Sequence, residues 1–316
     1  MFNKLKKFPV YQRNRILKQD LKSHGLLLLS TLIAGANYTI SKFATPEYIA
    51  PSAIILLRII ATILLFNALG LFVKEKIDLS DRKRIFLCAL FGVACNQLLF
   101  YKGLSLTSPI NASLMMTISP IIVLIISAIN GFERITPVRI LGLILGTVGT
   151  GALLLSGTDQ FHELFIGDIL VLLNAVSWAL FLVIAKPLLA KYHFITVSKW
   201  MFNLGFFIVF PFSINSFWET QWQNFDTTAY LSVGFIIIFA TYISYILNVG
   251  VLKKVNPSVA GSYIYLQPVF AAVIALILDK DELTPEKIAY SILILAGVFF
   301  INKQPHKKIR DQLYSN

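Results

Sequence analysis

Charge is what this chain has least of: only 14% of its 316 residues are Asp, Glu, Lys or Arg, against 56% hydrophobic, and the mean hydropathy is +0.72. A water-soluble domain carries about 25% charged residues, so the composition excludes an ordinary globular protein and makes lipid the solvent for most of the chain. Carboxylates are nearly missing from the apolar runs, where Asp168 and Asp279 stand only at run ends, so no buried proton relay is visible. Cysteine is equally sparse. Cys88 and Cys95 lie in one apolar run with no His or acidic partner at ligand spacing, which reads as packing rather than a metal or redox pair, and no metal site or cofactor is expected. The histidines His24, His162, His193 and His306 are scattered. There is no phosphate-cradling glycine loop with its lysine, no HExxH and no GxSxG, which leaves an ATP-driven pump or a hydrolase without support.

What the chain does have is long apolar runs. Crossing about 30 Å of hydrocarbon takes roughly 20 apolar residues in a helix. Ten segments qualify, near 25–43, 51–73, 85–106, 109–130, 138–155, 167–186, 197–215, 228–250, 257–278 and 286–302. The first follows a basic stretch but is too long for a signal-peptide core, so it is expected to stay as a spanning helix. The net charge of +12 is dealt out between the runs instead of gathered in one place, which argues against a nucleic-acid partner. Of the 28 Lys and Arg, 23 fall in the amino-terminal tail, the even-numbered connections and the carboxyl tail, as for cytoplasmic loops. Both termini are therefore expected in the cytoplasm. The seventh connection holds Phe217, Trp218, Trp222 and Phe225 and no Lys or Arg, the pattern of an aromatic belt at the outer interface.

The chain also repeats itself. At a constant offset of 148, Pro109 falls on Pro257, Ala112 on Ala260, Pro120 on Pro268, Thr136 and Pro137 on Thr284 and Pro285, and Gly149 on Gly297. A weaker match sets Ile40, Ser41 and Lys42 beside Ile184, Ala185 and Lys186. The repeat divides the chain into a basic tail (1–23), a first five-helix half (24–156), a second five-helix half (157–302) and a second basic tail (303–316). Five is odd, so the second half enters the membrane upside down relative to the first. The expected fold is an all-α integral membrane bundle of ten transmembrane helices, two inverted five-helix repeats around a central cavity. That architecture is typical of secondary transporters with a site near mid-membrane. The competing readings are a non-transporting membrane scaffold and an intramembrane lipid-modifying enzyme.

Several segments carry a family resemblance: Arg58 in the second run, PINASLMMTISPIIVLI in the fourth, FERIT before a glycine-rich fifth, GDILVLLNAVSWALFLVIAK in the sixth and NPSVAGSYIYLQPVFAAVIA in the ninth. With these the chain resembles the drug/metabolite transporter superfamily, specifically the EamA-type ten-helix exporters of bacteria, over nearly everything after residue 24. The resemblance implies a central cavity, alternating access and efflux of metabolites, amino acids or drugs across the bacterial inner membrane without ATP hydrolysis. It names no substrate. Gly103 departs from the Ala often found there, and Lys102 adds an unusual charge.

Polar side chains inside apolar helices are costly in lipid and are the natural candidates for a substrate site. Arg58, about two turns into the second helix from its outer end, either holds an anionic group such as a substrate carboxylate or organises the bundle. Lys102 either snorkels to the interface or faces the cavity. Asn37, Tyr38, Asn96, Gln97, Asn174, Ser177 and Trp178 offer hydrogen-bonding groups with an aromatic wall, or interhelical bonds alone. Tyr242, Tyr245, Asn248, Tyr263, Tyr265 and Gln267 add a second such set, whose competitor is a packing seam. Pro120 and Pro268 are expected to kink their helices and to gate the cavity. The expected partners are a small-molecule substrate and the bilayer, with a homodimer left open.

Overall fold

The computed structural model describes residues 10–73, 75–129, 136–155, 161–252, 254–255, 257–279, 282 and 284–302, and among them every regular element is helical. Helix α1 is Val10–Ile40, followed by a 3-10 turn, Ser41–Phe43. Helices α2 (Pro51–Gly70), α3 (Leu79–Leu106) and α4 (Pro109–Ile129) follow, then α5 (Pro137–Leu155), α6 (Phe161–Lys191), α7 (Phe194–Trp218) and α8 (Thr227–Leu252). Helix α9 is built from Pro257–Ser262, a 3-10 turn Tyr263–Leu266 and Gln267–Ile277, and α10 is Pro285–Asn302. Seven of these, α1 to α4 and α6 to α8, contain stretches long and apolar enough to cross a membrane, whereas α5, α9 and α10 carry shorter apolar stretches of 10–17 residues. Part of the expected amino-terminal tail is helical, since α1 begins at Val10. The expected carboxyl tail lies outside the described residues, as do Glu133 and Arg134 of the FERIT turn.

The exterior confirms what solvent these helices meet. Leu64, Phe72, Ile129, Phe207 and Phe299 point outward, with Phe72 86% exposed. A water-soluble surface rarely gathers so many large apolar groups. Inside, one core cluster includes Ile54, Ile59, Phe66, Phe181, Phe202 and Val249, and a second joins Tyr38, Leu104, Leu114, Val171 and Tyr265.

The packing is symmetric under exchange of each helix for the one five places on. The pairs α2–α7, α4–α9 and α5–α10 map onto themselves; α1–α9 maps onto α6–α4, α3–α6 onto α8–α1, and α3–α7 onto α8–α2. Irregularities repeat as well. Helix α3 widens to π geometry over Leu90–Cys95 and α8 does so over Ile236–Ile243. A 3-10 turn precedes each proline of the repeated pair: Met116–Ile118 before Pro120, and Tyr263–Leu266 before Pro268. Proline has no N–H to continue the ladder, and the turn before it tightens. The Ile-Ser-Lys and Ile-Ala-Lys match has a physical role on at least one side: the Lys186 ammonium donates to the carbonyls of Leu252 (2.7 Å) and Val255 (2.6 Å) at the end of α8. Those carbonyls have no intrahelical partner, so the lysine caps the negative end of the helix.

Candidate functional site

Polar faces of α1, α3, α6, α8 and α9 converge with Arg58 of α2 on one cavity of about 120 Å³. Of the residues expected in a site, Asn37, Tyr38, Arg58, Asn96, Gln97, Asn174, Trp178, Tyr245 and Gln267 line it, and Asn248 joins them. Helical spacing explains the convergence. Ser30, Ala34, Asn37 and Tyr38 share one face of α1; Asn96, Gln97, Phe100 and Tyr101 share one of α3; Ser244, Tyr245 and Asn248 share one of α8.

Lys102, Ser177, Tyr242, Tyr263 and Tyr265 do not line the cavity. Lys102 is exposed, because one position beyond Tyr101 the helix has turned by about 100° away from the cavity. Tyr242 packs its ring 5.2 Å from that of Phe66, and the hydroxyl of Tyr263 sits 2.6 Å from Nδ1 of His24. Pro120 and Pro268 are buried in their helices and do not form the wall. Gly103 owes its place to packing: a Cβ there would come within 2.9 Å of the Gly167 carbonyl oxygen and 2.8 Å of Val171.

The wall is cross-linked by hydrogen bonds between helices distant in sequence. Tyr38 donates to Oε1 of Gln267 (2.9 Å), and Asn96 donates to Oδ1 of Asn174 (2.6 Å). Tyr101 (3.3 Å) and Ser41 (3.1 Å) both donate to Oδ1 of Asn37, and Asn248 donates to the hydroxyl of Ser30. The widened turn of α3 is used in the same way: Ser177 donates to the Phe91 carbonyl at 2.7 Å, and Tyr245 donates to that of Gly92. In α8 the hydroxyl of Thr241 donates to the Ile236 carbonyl (2.7 Å) and accepts from Nε of Arg58 (2.5 Å). Widened turns of this kind recur at functional sites. The Trp178 ring, 5.0 Å from that of Phe181 and 6.2 Å edge-on from that of Tyr245, closes one side with an aromatic wall.

The electrostatics are one-sided. Arg58 is 5% exposed, with its guanidinium carbon 4.5 Å over the Tyr101 ring. No Asp, Glu, His or Cys lines the cavity among the described residues, and no cluster of three or more such residues occurs among them. Such a wall can bind a solute through a cation, amides and phenols, but it offers no carboxylate or imidazole to take a proton near neutral pH. Sequence reasoning passed over Thr241, Tyr101 and Met116. The first two carry a readable signal, since Thr241 stands four residues before Tyr245 and Tyr101 four after Gln97.

Comparison with known proteins fits this geometry. The model of the EamA-like transporter family matches residues 21–155 and again 165–303. An uncharacterized transporter of Archaeoglobus fulgidus is 28% identical over 281 residues, covering 89% of this chain and 99% of that protein. One from Bacillus subtilis is 26% identical over 294 residues, covering 90% and 94%. A WAT1-related protein of Arabidopsis thaliana is 23% identical over 303 residues, covering 84% and 75%. A solved crystal structure shares the fold with a TM-score of 0.63 at 18% identity, over 93% of this chain and 99% of its own. Two consecutive matches to one family model identify this multi-pass membrane protein as a transporter belonging to the EamA-like transporter family.

Proposed function

We propose that the chain is a secondary transporter that exports small metabolites, amino acids among them, by alternating access across a bacterial cytoplasmic membrane. In this reading the halves 24–156 and 157–302 are five-span repeats inserted upside down, with both termini in the cytoplasm. A cavity of about 120 Å³ is below the roughly 300–1,000 Å³ of sites for drug-sized ligands, which favours small metabolites over drug-like compounds in the present conformation.

The observation that carries the reading is a pair of equivalent latches at opposite connections. Between α6 and α7, Tyr192 donates to Oδ2 of Asp81 (2.9 Å) and accepts from the Asp78 N–H (3.1 Å), while Lys191 reaches Asp78 at 2.5 Å and Asp81 at 2.6 Å. At the 144 offset Tyr192 corresponds to Tyr48, and at the 148 offset Asp78 corresponds to Asp226. The hydroxyl of Tyr48 lies against Asp226, and its ring is 5.7 Å from that of Phe225. Burial first, and then the Asp226 carboxylate, hold the Tyr48 hydroxyl above its ordinary value. Inverted insertion puts the first latch in the cytoplasm and the second outside. The first, an ion-paired network, is the tighter one here, as expected of a state closed to the cytoplasm.

Its pH behaviour follows from Asp78. The bond and charge of Lys191 hold this carboxyl below its ordinary value, so the stabilisation is complete above that value and is lost only as pH falls through the lowered one. The latch is therefore constant between about pH 6 and 8. Replacing both Asp78 and Asp81 with Asn should mimic acid at neutral pH and make a cysteine placed at Asn96 several-fold more reactive from the cytoplasmic side. Unchanged reactivity would remove the latch from the mechanism. Pro120 and Pro268 serve as matched hinges in this reading: either Pro→Ala change should cut flux more than abundance, and unaltered flux counts against a gating role.

The direct test is counterflow of a mixed metabolite pool into liposomes holding the purified protein. Protein-dependent accumulation of a solute supports transport; a protein that moves nothing is a scaffold.

A further inference from the structure

We propose that the seam where α2 ends and α3 and α7 begin is a binding site for an anionic phospholipid, whose headgroup sits on Lys76, Arg82, Lys83 and Lys199. The three helix ends lie together. Helix α7 packs along α2 and against the first part of α3, and Glu75 accepts from the His193 N–H (2.8 Å) and the Thr196 hydroxyl (2.7 Å) at the start of α7. The carboxylates of the seam are thereby all engaged: Glu75 caps α7, Asp78 and Asp81 hold Lys191, and Asp81 also holds Tyr192. Arg84 keeps a 4.0 Å approach to Asp81, whereas Lys76, Arg82, Lys83 and Lys199 have no anionic partner among the described residues.

Lys199 shows how the seam is built for an interface. Its stem lies over Gly70 in the last turn of α2, where a Cβ would come within 2.9 Å of the lysine Cδ and 3.4 Å of Nζ. The glycine makes room for a lysine that lies along apolar surface and carries its ammonium to headgroup level. Around it Leu71, Phe72, Leu79, Phe86 and Trp200 are exposed, apolar groups for acyl chains and an indole suited to the membrane interface. Unpaired cations beside such groups fit an amphiphile with a negative head. A zwitterionic headgroup would bring its own ammonium to the cluster and gain less.

The fold does not require these charges. In the other half the equivalent positions are Asn224, Tyr230 and Leu231 at the 148 offset and Ile55 at the 144 offset, none of them charged. Charges that served insertion alone would need only their sign. The seam adds a glycine that seats one ammonium and a rim of exposed apolar side chains. The site is separate from the central cavity, whose lining includes none of these residues.

The test is thermal unfolding of the purified full chain in neutral detergent, with added phosphatidylglycerol or phosphatidylcholine of the same acyl chains. Phosphatidylglycerol should stabilise the wild type more, and the excess should fall by more than half at about 1 M salt, where the Debye length is about 3 Å. Lys199→Gln, and separately Arg82→Gln with Lys83→Gln, should each reduce the excess. Lys102→Gln, a loss of charge at the other end of α3, should keep it. The wild-type comparison needs no variant, and the exposed Arg82 and Lys83 cover a failure of Lys199→Gln to fold. Equal stabilisation by the two lipids, an excess that survives salt, an excess undiminished in either seam variant or equally reduced in Lys102→Gln, or the same stabilisation by inorganic phosphate alone would each overturn the site.

Discussion

Gly297→Ala is expected to lower stability by about 2 kcal/mol, and Gly297→Leu to prevent recovery of a monodisperse protein. Helices α5 and α10 touch backbone to backbone: a Cβ on Gly297 would stand 2.5 Å from the Gly146 nitrogen, 2.7 Å from the Gly142 carbonyl oxygen and 2.9 Å from the Gly146 Cα. Gly142 and Gly146 are spaced as in the small-residue motif that lets membrane helices approach closely, where packing has to replace the missing hydrophobic drive. Backbone cannot swing aside as a side chain can, so the helices must separate. Gly234 is the internal control, because a Cβ there meets nothing within 4 Å. Gly234→Ala should be neutral or stabilising by up to about 1 kcal/mol, the helix-propensity gain. Thermal unfolding in detergent reads both, and a Gly297→Ala variant that melts with the wild type would contradict the close approach.

Thr241→Val should cost about 2 kcal/mol although it keeps shape and volume, since hydrogen bonds to charged groups contribute about 1.5–3 kcal/mol. The Thr241 side chain is fully buried, and its hydroxyl both donates to the Ile236 carbonyl and accepts from Arg58. Valine removes both bonds and leaves a buried cation short of a partner. Thr241→Ser retains the hydroxyl and should recover most of the loss. In an Arg58→Leu background the same Thr241→Val change should cost at least 1 kcal/mol less, and that coupling is the discriminating quantity. Additive effects would mean that the 2.5 Å contact carries no energy.

These two sites also show what could be read in advance. Seven of the ten expected spans were legible because hydrocarbon imposes a length and a composition, and the sequence repeat because three proline pairs keep one offset. Helix ends were read short: α3 begins at Leu79 rather than near 85, and α7 runs from Phe194 to Trp218 rather than over 197–215. Their first and last turns carry charged, polar or interfacial aromatic residues outside the apolar run, which hydropathy discounts. Most of the cavity wall followed from the cost of polar groups in lipid. Lys102 did not, because depth along a helix says nothing of direction around it. The widened turns of α3 and α8 have no local signature, since LFGVAC reads as ordinary helix. Their bonds to Ser177, Tyr245 and Arg58 arise only when distant helices meet.

The connections α2–α3 and α7–α8 are equivalent in the two halves, so inverted insertion requires them to lie on opposite faces of the bilayer. With Cys88 and Cys95 replaced by Ala, single cysteines at the exposed positions Lys76 and Gln223 can be probed in intact cells with an impermeant maleimide. Position 223 should label at once and position 76 only after the membrane is opened. Labelling of both from the same side would contradict the architecture on which the cavity, the paired latches and the transport cycle all stand.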